Sequence, residues 1–283
     1  MIKQVSLKKG VRVLLIMLLS SILVGMAGTE VFASVNAKGF AVYRQGNFPN
    51  PSGHAGLVNK NSVEDSDAVI HIISGDEMYL IRKTSLSDFI DGQDFYGYYV
   101  PKTLKNLSSS DRINILSSVI SKARSLSALN REALGYNLTS QLWYTEDTNN
   151  NNRVDITEIS SMRCDGLVEY CYEYYGLSVY GENISVFDFD IRNDHSAPNI
   201  TPKQQIKHYL QNCLGDIDGD LSVTANDSRL ALRFSTGLET FDEYQKFVAD
   251  VDGTTGITAS DAQLILQYST ASITSFPADP FPE

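Results

Sequence analysis

The 283-residue chain holds only three cysteines and four histidines, and its 23 lysines and arginines are outnumbered by 34 acidic residues. Each shortage excludes something. An odd number of cysteines excludes a fully paired disulfide set within the chain. Cys164 and Cys171 lie in a segment that reads as helix, which separates their Cα atoms by about 10 Å along the axis and excludes a bridge between them. Cys171 with Cys213 stays open as a pair, against a buried Cys171 and a linker Cys213 that never meet. Four histidines leave few candidates for a general base. The formal charge of −11 disfavours a nucleic-acid partner, because so acidic a surface repels phosphate. Beyond the N-terminal segment no apolar run approaches the ~20 residues of a membrane span.

What is present begins with that segment. Lys3, Lys8, Lys9 and Arg12 precede an apolar run over residues 13–26, and small-residue sites follow at Val31-Phe32-Ala33 and Val35-Asn36-Ala37. This is the layout of a secretory signal peptide over residues 1–33, with cleavage after Ala33 or Ala37. The expectation is a secreted, extracellular protein with no stable membrane anchor after cleavage. Removal of residues 1–33 leaves 33 acids against 19 bases, a charge of −14.

Much of that acid is patterned. Residues 216–227 (DIDGDLSVTAND) and 250–261 (DVDGTTGITASD) are one twelve-residue loop written twice, thirty-four residues apart, and ten of the twenty-one positions from Asp216 to Thr236 recur in the second copy. A tandem repeat follows. Each copy offers oxygen ligands at its first, third, fifth and twelfth positions, the spacing that wraps a tight turn around a hard cation wanting about 6 to 8 oxygens. The first supplies Asp216, Asp218, Asp220 and Asp227; the second supplies Asp250, Asp252, Thr254 and Asp261, with a neutral hydroxyl at its fifth position and hence a weaker site. An apolar helix follows each loop. The segment from residue 215 to about 277 resembles a type I dockerin, the module by which bacterial enzymes attach to a cohesin on a cellulosome scaffold. That resemblance implies a small all-α dockerin domain over residues 213–283 with two EF-hand-like loops, two bound Ca2+ ions, a cohesin partner and a place at the cell surface.

Residues 38–212 read as a separate α+β domain. Apolar alternation predicts strands near residues 39–43, 54–58, 68–73, 78–82 and 95–100. The period then changes to helical over 110–126, with Ile113, Ile115, Leu116, Val119 and Ile120 on the apolar side, and further helices are expected after Cys164 and over 201–212. Strands and helices are segregated, which argues against a doubly wound parallel sheet.

Within this domain Cys164 opens an amphipathic helix, where unpaired N–H groups and partial positive charge lower a thiol's pKa and form half an oxyanion hole. Gly166 allows close approach. A nucleophile also needs a base and a group to orient it. A hairpin centred between Ser62 and Val63 would set His54 directly opposite His71, on one face of the sheet. His195 and His208 are assigned to structure or solvent.

RCDGLVEYCYEYYG resembles the nucleophile helix of the NlpC-like cysteine amidases and peptidases of the papain fold, with Asp165 where the family more often has serine. GHAGLV and the segment VIHIISGDEMYLIRKTSLSDF resemble its base strand and second polar strand. Both histidines precede the cysteine, as in the circularly permuted branch. The resemblance spans about residues 38–180. It implies a papain-like cysteine hydrolase with Cys164 as nucleophile, His54 as general base, His71 as orienting residue and Tyr136 (in LGYN) assisting the oxyanion. It implies hydrolysis of an amide bond, in peptidoglycan stem peptides or cell-wall protein. The permuted branch also suggests an acyl-ester hydrolase or acyltransferase, and a non-catalytic binding module is the third reading.

The residues themselves add a third cation loop that the resemblance does not supply. Residues 147–158 (DTNNNNRVDITE) place Asp147, Asn149 and Asn151 at the first, third and fifth positions, the Arg153 carbonyl at the seventh, Asp155 at the ninth and Glu158 at the twelfth. A third Ca2+ is expected there, positioning the helix of Cys164.

Overall fold

The computed structural model of the protein describes residues 35–46, 52–62, 64–73, 78–130 and 132–282. The signal-peptide expectation and cleavage at Ala33 lie outside these residues. The described chain is α+β, and no helix in it is long and apolar enough to cross a membrane.

The main sheet contains β1 (Ala41–Arg44), β2 (His54–Val58), β3 (Val69–Ile72), β4 (Ile81–Thr84), β5 (Phe95–Pro101) and β9 (Leu210–Asn212), in the order β4-β3-β2-β1-β5-β9. All its pairings are antiparallel. A second sheet joins β6 (Gly135–Tyr136), β8 (Ile159–Met162) and β7 (Leu142–Tyr144) in that order. Helix α1 (Leu86–Ile90) is capped by Ser85 and α2 (Ser109–Ser127) by Ser108, each hydroxyl accepting the amide of the aspartate three residues on. Helix α3 (Cys164–Glu173) follows β8 directly, and α4 is a short helix at Phe189–Asp194. After β9 come α5 (Ala225–Ser235), α6 (Glu243–Ala249) and α7 (Ala259–Ser269).

Four sequence expectations are corrected. The hairpin register is Gly56↔His71 and Leu57↔Ile70, two residues displaced from the expected one, so His71 faces Gly56 and His54 sits diagonally from it. A shift of two preserves the shared face, because side chains alternate with period two. The helix expected over 201–212 is a single turn at Pro202–Gln204, a π-helical turn at Gln205–Tyr209 and then β9, where edge pairing with β5 overrides helical propensity. The strand expected over 78–82 starts at Ile81, and Met78 is exposed. Ile113 also faces solvent, while Ala123 and Leu126 take the inner side of α2 with Leu116, Val119 and Ile120. All three cysteines are free and buried.

One hydrophobic core runs through both sequence regions. Tyr244 of α6 packs on Phe40 and Tyr98, and Phe247 on Phe95 with ring centroids 4.9 Å apart. The Cys213 amide donates to the Tyr98 carbonyl at 3.0 Å and the Gly215 amide to that of Val248 at 2.7 Å, so the chain passes from the sheet into the first acidic loop without a free linker.

Every residue of α3 is buried, including Asp165, Glu169 and Glu173, one helical turn apart from one another. Its tightest contact is at Gly166, where an added Cβ would lie 1.9 Å from the Gln141 carbonyl oxygen. The collision is with backbone and cannot be relieved by a rotamer change. Gly166→Ala should therefore destabilise the protein by about 3 kcal/mol, read as a lowered urea midpoint in Trp143 fluorescence. An unchanged midpoint would show that α3 does not seat as described.

Candidate functional site

Cys164 is fully buried at the first position of α3. The backbone N–H groups of Ala55, at the start of β2, and of Asp165 point at its sulfur. Burial first, and then the Asp165 charge, push the thiol up to about 12 against these donors and Arg163. The resting group is thus a neutral thiol beside two backbone donors, one of them adjacent in sequence to His54.

The histidines meet. His54 Nε2 and His71 Nδ1 are 2.8 Å apart, and His71 Nε2 lies 2.9 Å from the Thr84 hydroxyl on β4. No sequence motif marks Thr84; the antiparallel register of β3 on β4 is what brings it there. Phe89 of α1 closes the pair, stacked on His54 at 5.3 Å and edge-on to His71 at 5.1 Å. Nδ1 of His54 makes no hydrogen bond with a described residue, which leaves it as the nitrogen able to take a proton. Burial is the main cause holding both rings neutral: His54 falls well below its ordinary value, with His71 and Arg44 adding to the effect. His71 falls to about 3, with Arg44 and Arg82 adding. Tyr136, on β6, pairs with Met162 of β8, two residues before the thiol, and feels the charge of Arg163.

Behind the thiol lies a polar cluster that the sequence motifs do not include. Arg163 Nε and Nη2 donate to the two oxygens of Asp165 at 2.6 and 2.8 Å, and its Nη2 also donates to the Ile200 carbonyl. Glu169 accepts from the side-chain amides of Gln141 and Gln205, and its other oxygen lies 3.2 Å from His195 Nε2. Glu173 accepts the amides of Val179 and Ile184. Glu169, Glu173 and His195 converge closely enough to suggest a metal centre. The hydrogen bonds argue against one. His195 Nδ1 faces the Ile191 carbonyl at 2.7 Å and Nε2 that of Tyr180 at 3.0 Å, so both nitrogens must donate and neither has a lone pair for an ion. Accordingly His195 is raised to about 9: burial, the largest single effect, lowers it, and Glu169 together with the Ile191 and Tyr180 carbonyls outweighs that. His195 is thus a buried member of this polar network. Three acids at four-residue spacing in an apolar helix were the available signal.

In the first acidic loop Asp216, Asp218 and Asp227 bring carboxylate oxygens within 4.8 Å of one another, and Asp250, Asp252 and Asp261 do so in the second. Asp220 and Thr254, at the fifth positions, instead accept or make local bonds, to the Ser222 amide and to Asp252. Asp216 is 1% exposed and its Oδ1 has no partner. Burial and the charge of Asp227 raise its carboxyl to about 8. A buried acid aimed at two others without a counter-charge fits a divalent cation. The twelfth residue of each loop also anchors the following helix, since Asp227 and Asp261 complete capping boxes with Thr224 and Thr258 at the starts of α5 and α7.

The loop over 147–158 joins β7 to β8 and has the backbone of the first acidic loop. Asn150 and Asn152 have φ of 57°, where Gly219 and Leu221 have 72° and 70°. Asp147 accepts the Asn152 amide as Asp216 accepts that of Leu221, and Glu158 accepts the Thr148 and Asp155 amides as Asp227 accepts those of Ile217 and Thr224. Asn149 and Asn151 turn their amide nitrogens to Asp155, and Arg153 stacks on Tyr174 at the end of α3.

The histidine pair yields a pH prediction. Imidazoles depressed when folded are stabilising above their unfolded value of about 6.5, and that contribution is lost as pH falls toward the His71 value of about 3. Unfolding midpoints should drop more steeply between pH 6.5 and 4 for the natural protein than for His54→Gln/His71→Asn; equal slopes would place the rings in solvent. Comparison with protein-family models, with curated proteins and with solved structures finds no match to this chain.

Proposed function

We propose that the protein is an exported cysteine hydrolase of amide bonds that carries a calcium-dependent docking module. The observation that carries the catalytic reading is the His54–His71–Thr84 chain of contacts beginning one residue from the backbone amide that meets the Cys164 thiol. Because the resting thiol is neutral, attack begins with proton transfer to Nδ1 of His54 as the sulfur bonds to the substrate carbonyl carbon. His71 Nδ1 accepts from the Nε2–H of His54 and keeps that ring oriented, as a positioning residue. The Asp165 N–H at the helix start supports the developing oxyanion, with Tyr136 on the adjoining strand. Imidazolium His54 then protonates the leaving amine, and water resolves the thioester. Peptidoglycan stem peptides or cell-wall protein are the substrate class implied by resemblance to NlpC-like enzymes. The full burial of Cys164 favours one competing reading, a binding module without turnover.

A thiol-directed activity probe separates them. The natural protein and Cys171→Ser should label and turn over peptide, whereas Cys164→Ser should lose at least about a thousandfold in rate while keeping its unfolding midpoint. Labelling that persists without Cys164 would reassign the nucleophile, and none in either protein would support the binding module.

The acidic loops would hold Ca2+ through Asp216, Asp218, Asp220 and Asp227, and through Asp250, Asp252, Thr254 and Asp261. Asp147, Asn149, Asn151, the Arg153 carbonyl and Glu158 would hold a weaker third ion. The ion neutralises converging carboxylates and fixes the backbone between them. Leu232 on α5 and Leu266 on α7 occupy equivalent repeat positions and are 48% and 44% exposed, a paired apolar surface suited to a cohesin. Leu232→Asp/Leu266→Asp should weaken capture by a cohesin panel at least about tenfold without changing calcium affinity. Unchanged capture would remove this face from the docking reading.

A further inference from the structure

The first acidic loop is gripped by the N-terminal region from several directions. From α2, Arg112 Nη1 donates to the Asp220 carbonyl at 2.6 Å, and from β9 the Gln211 side-chain Nε2 donates to the Leu221 carbonyl at 3.0 Å. Val35, buried at the start of the described chain, covers Gly219 so closely that a Cβ there would fall 2.5 Å from its Cγ1. Tyr244, packed on Tyr98 of the sheet, donates to the Asp216 carbonyl at 3.4 Å. Among the described residues no hydrogen bond joins the second loop to the N-terminal region, and a Cβ at Gly253 would meet Ala278 alone, at 3.6 Å. The two copies of one sequence are therefore inequivalent, and the copy with the orphaned buried carboxylate oxygen is the one at the seam.

We infer that the cation of the first loop is a structural cofactor of the N-terminal sheet as well as of the docking module, joining the two through Arg112, Gln211 and Val35. The inference rests on the calcium reading of that loop. With the ion bound, the backbone over 216–221 is fixed and presents the Asp220 and Leu221 carbonyls to their donors. Without it, Asp216, Asp218 and Asp220 repel one another. Opening of the loop then releases the Arg112 and Gln211 contacts, uncovers Val35 and loosens β9 at the sheet edge. The strands carrying His54 and His71 belong to that sheet, so calcium supply outside the cell governs the stability of the candidate site from the opposite end of the chain.

The test uses the full-length protein and the chain's one tryptophan, Trp143, which lies on β7 in the small sheet. Calcium binding is measured by calorimetry and unfolding by Trp143 fluorescence. Saturating calcium should raise the Trp143 midpoint by about 5 to 10 °C. Asp218→Asn and Asp216→Asn/Asp218→Asn should lose most of that shift, whereas Asp147→Asn/Glu158→Gln, which disables the loop beside Trp143, should keep it. Gln211→Ala and Arg112→Gln/Gln211→Ala should still bind calcium in the first loop but lose at least half of the shift; the single variant serves if the double one does not fold. Binding with an unmoved Trp143 midpoint, or a full shift in both Gln211 variants, overturns the inference and leaves the calcium reading standing. No calcium bound overturns both.

Discussion

The acids of α3 constrain the N-terminal region more than any other feature. A helix with all ten residues buried can hold Asp165, Glu169 and Glu173 only if each carboxylate is met by hydrogen bonds or an opposite charge. The groups that meet them come from widely separated segments: Arg163 just before the helix, Gln141 before β7, the backbone of 179–184, His195 after α4 and Gln205 in the π-helical turn. Tyr43 extends the network into the main sheet, its hydroxyl donating to Gln205 Oε1 at 2.7 Å. The loop-rich stretch from 177 to 205 thus has a fixed course without much regular structure, because it supplies partners. The same demand fixes the rotation of α3 and hence where Cys164 lies. It also makes stability fall with rising pH, from about pH 4.3 upward for Glu173 and from about 6.5 upward for His195. Glu173 is raised to about 8, chiefly by burial, and His195 to about 9; groups raised on folding contribute stability below their unfolded values and lose it as pH rises through the folded ones.

The candidate catalytic groups follow a different balance. A helix start lowers a thiol's pKa only if the thiolate keeps some solvent or a cation beside it. At Cys164 complete burial outweighs the backbone donors of Ala55 and Asp165, and the result is a neutral thiol, while burial likewise depresses both imidazoles. Under the proposed hydrolase reading such groups would act as a serine and its base do, with proton transfer inside the chemical step, and not as a thiolate–imidazolium ion pair. Phe89 contributes to this state by packing against both imidazoles.

The local periodicities were legible. Strand β2 falls at its expected residues, α2 and α3 start within a residue of expectation, and Gly166 makes the close approach its position suggested. What failed was set by pairing between distant segments. The register of β2 on β3 depends on how the turn closes, and a displacement of two leaves the alternation pattern unchanged, so no periodicity could distinguish it. Segment 201–212 has an apolar spacing that suits a helix, but its last three residues complete the sheet against β5, a partner more than a hundred residues away. Strands β6, β7 and β8 are two to four residues long, too short for any alternation to show. The polar face of α3 was visible as a spacing, yet its partners could be named only in three dimensions.

The three acidic loops show how far a local rule extends and where tertiary context takes over. All of them route the twelfth carboxylate to the amides of the second and ninth residues, so this arrangement follows from the twelve-residue spacing itself. Two of them, over 216–227 and 147–158, need left-handed backbone at the fourth and sixth positions, and they meet that need with Gly219 and Leu221 in one and two asparagines in the other. Asparagine tolerates that region; leucine does not favour it. Leu221 is held there by burial, at 2% exposure, and by the bonds its amide and carbonyl make to Asp216 and Gln211. The strained residue is therefore at the seam between the acidic loop and the sheet, where packing from the N-terminal region supplies what the local sequence lacks.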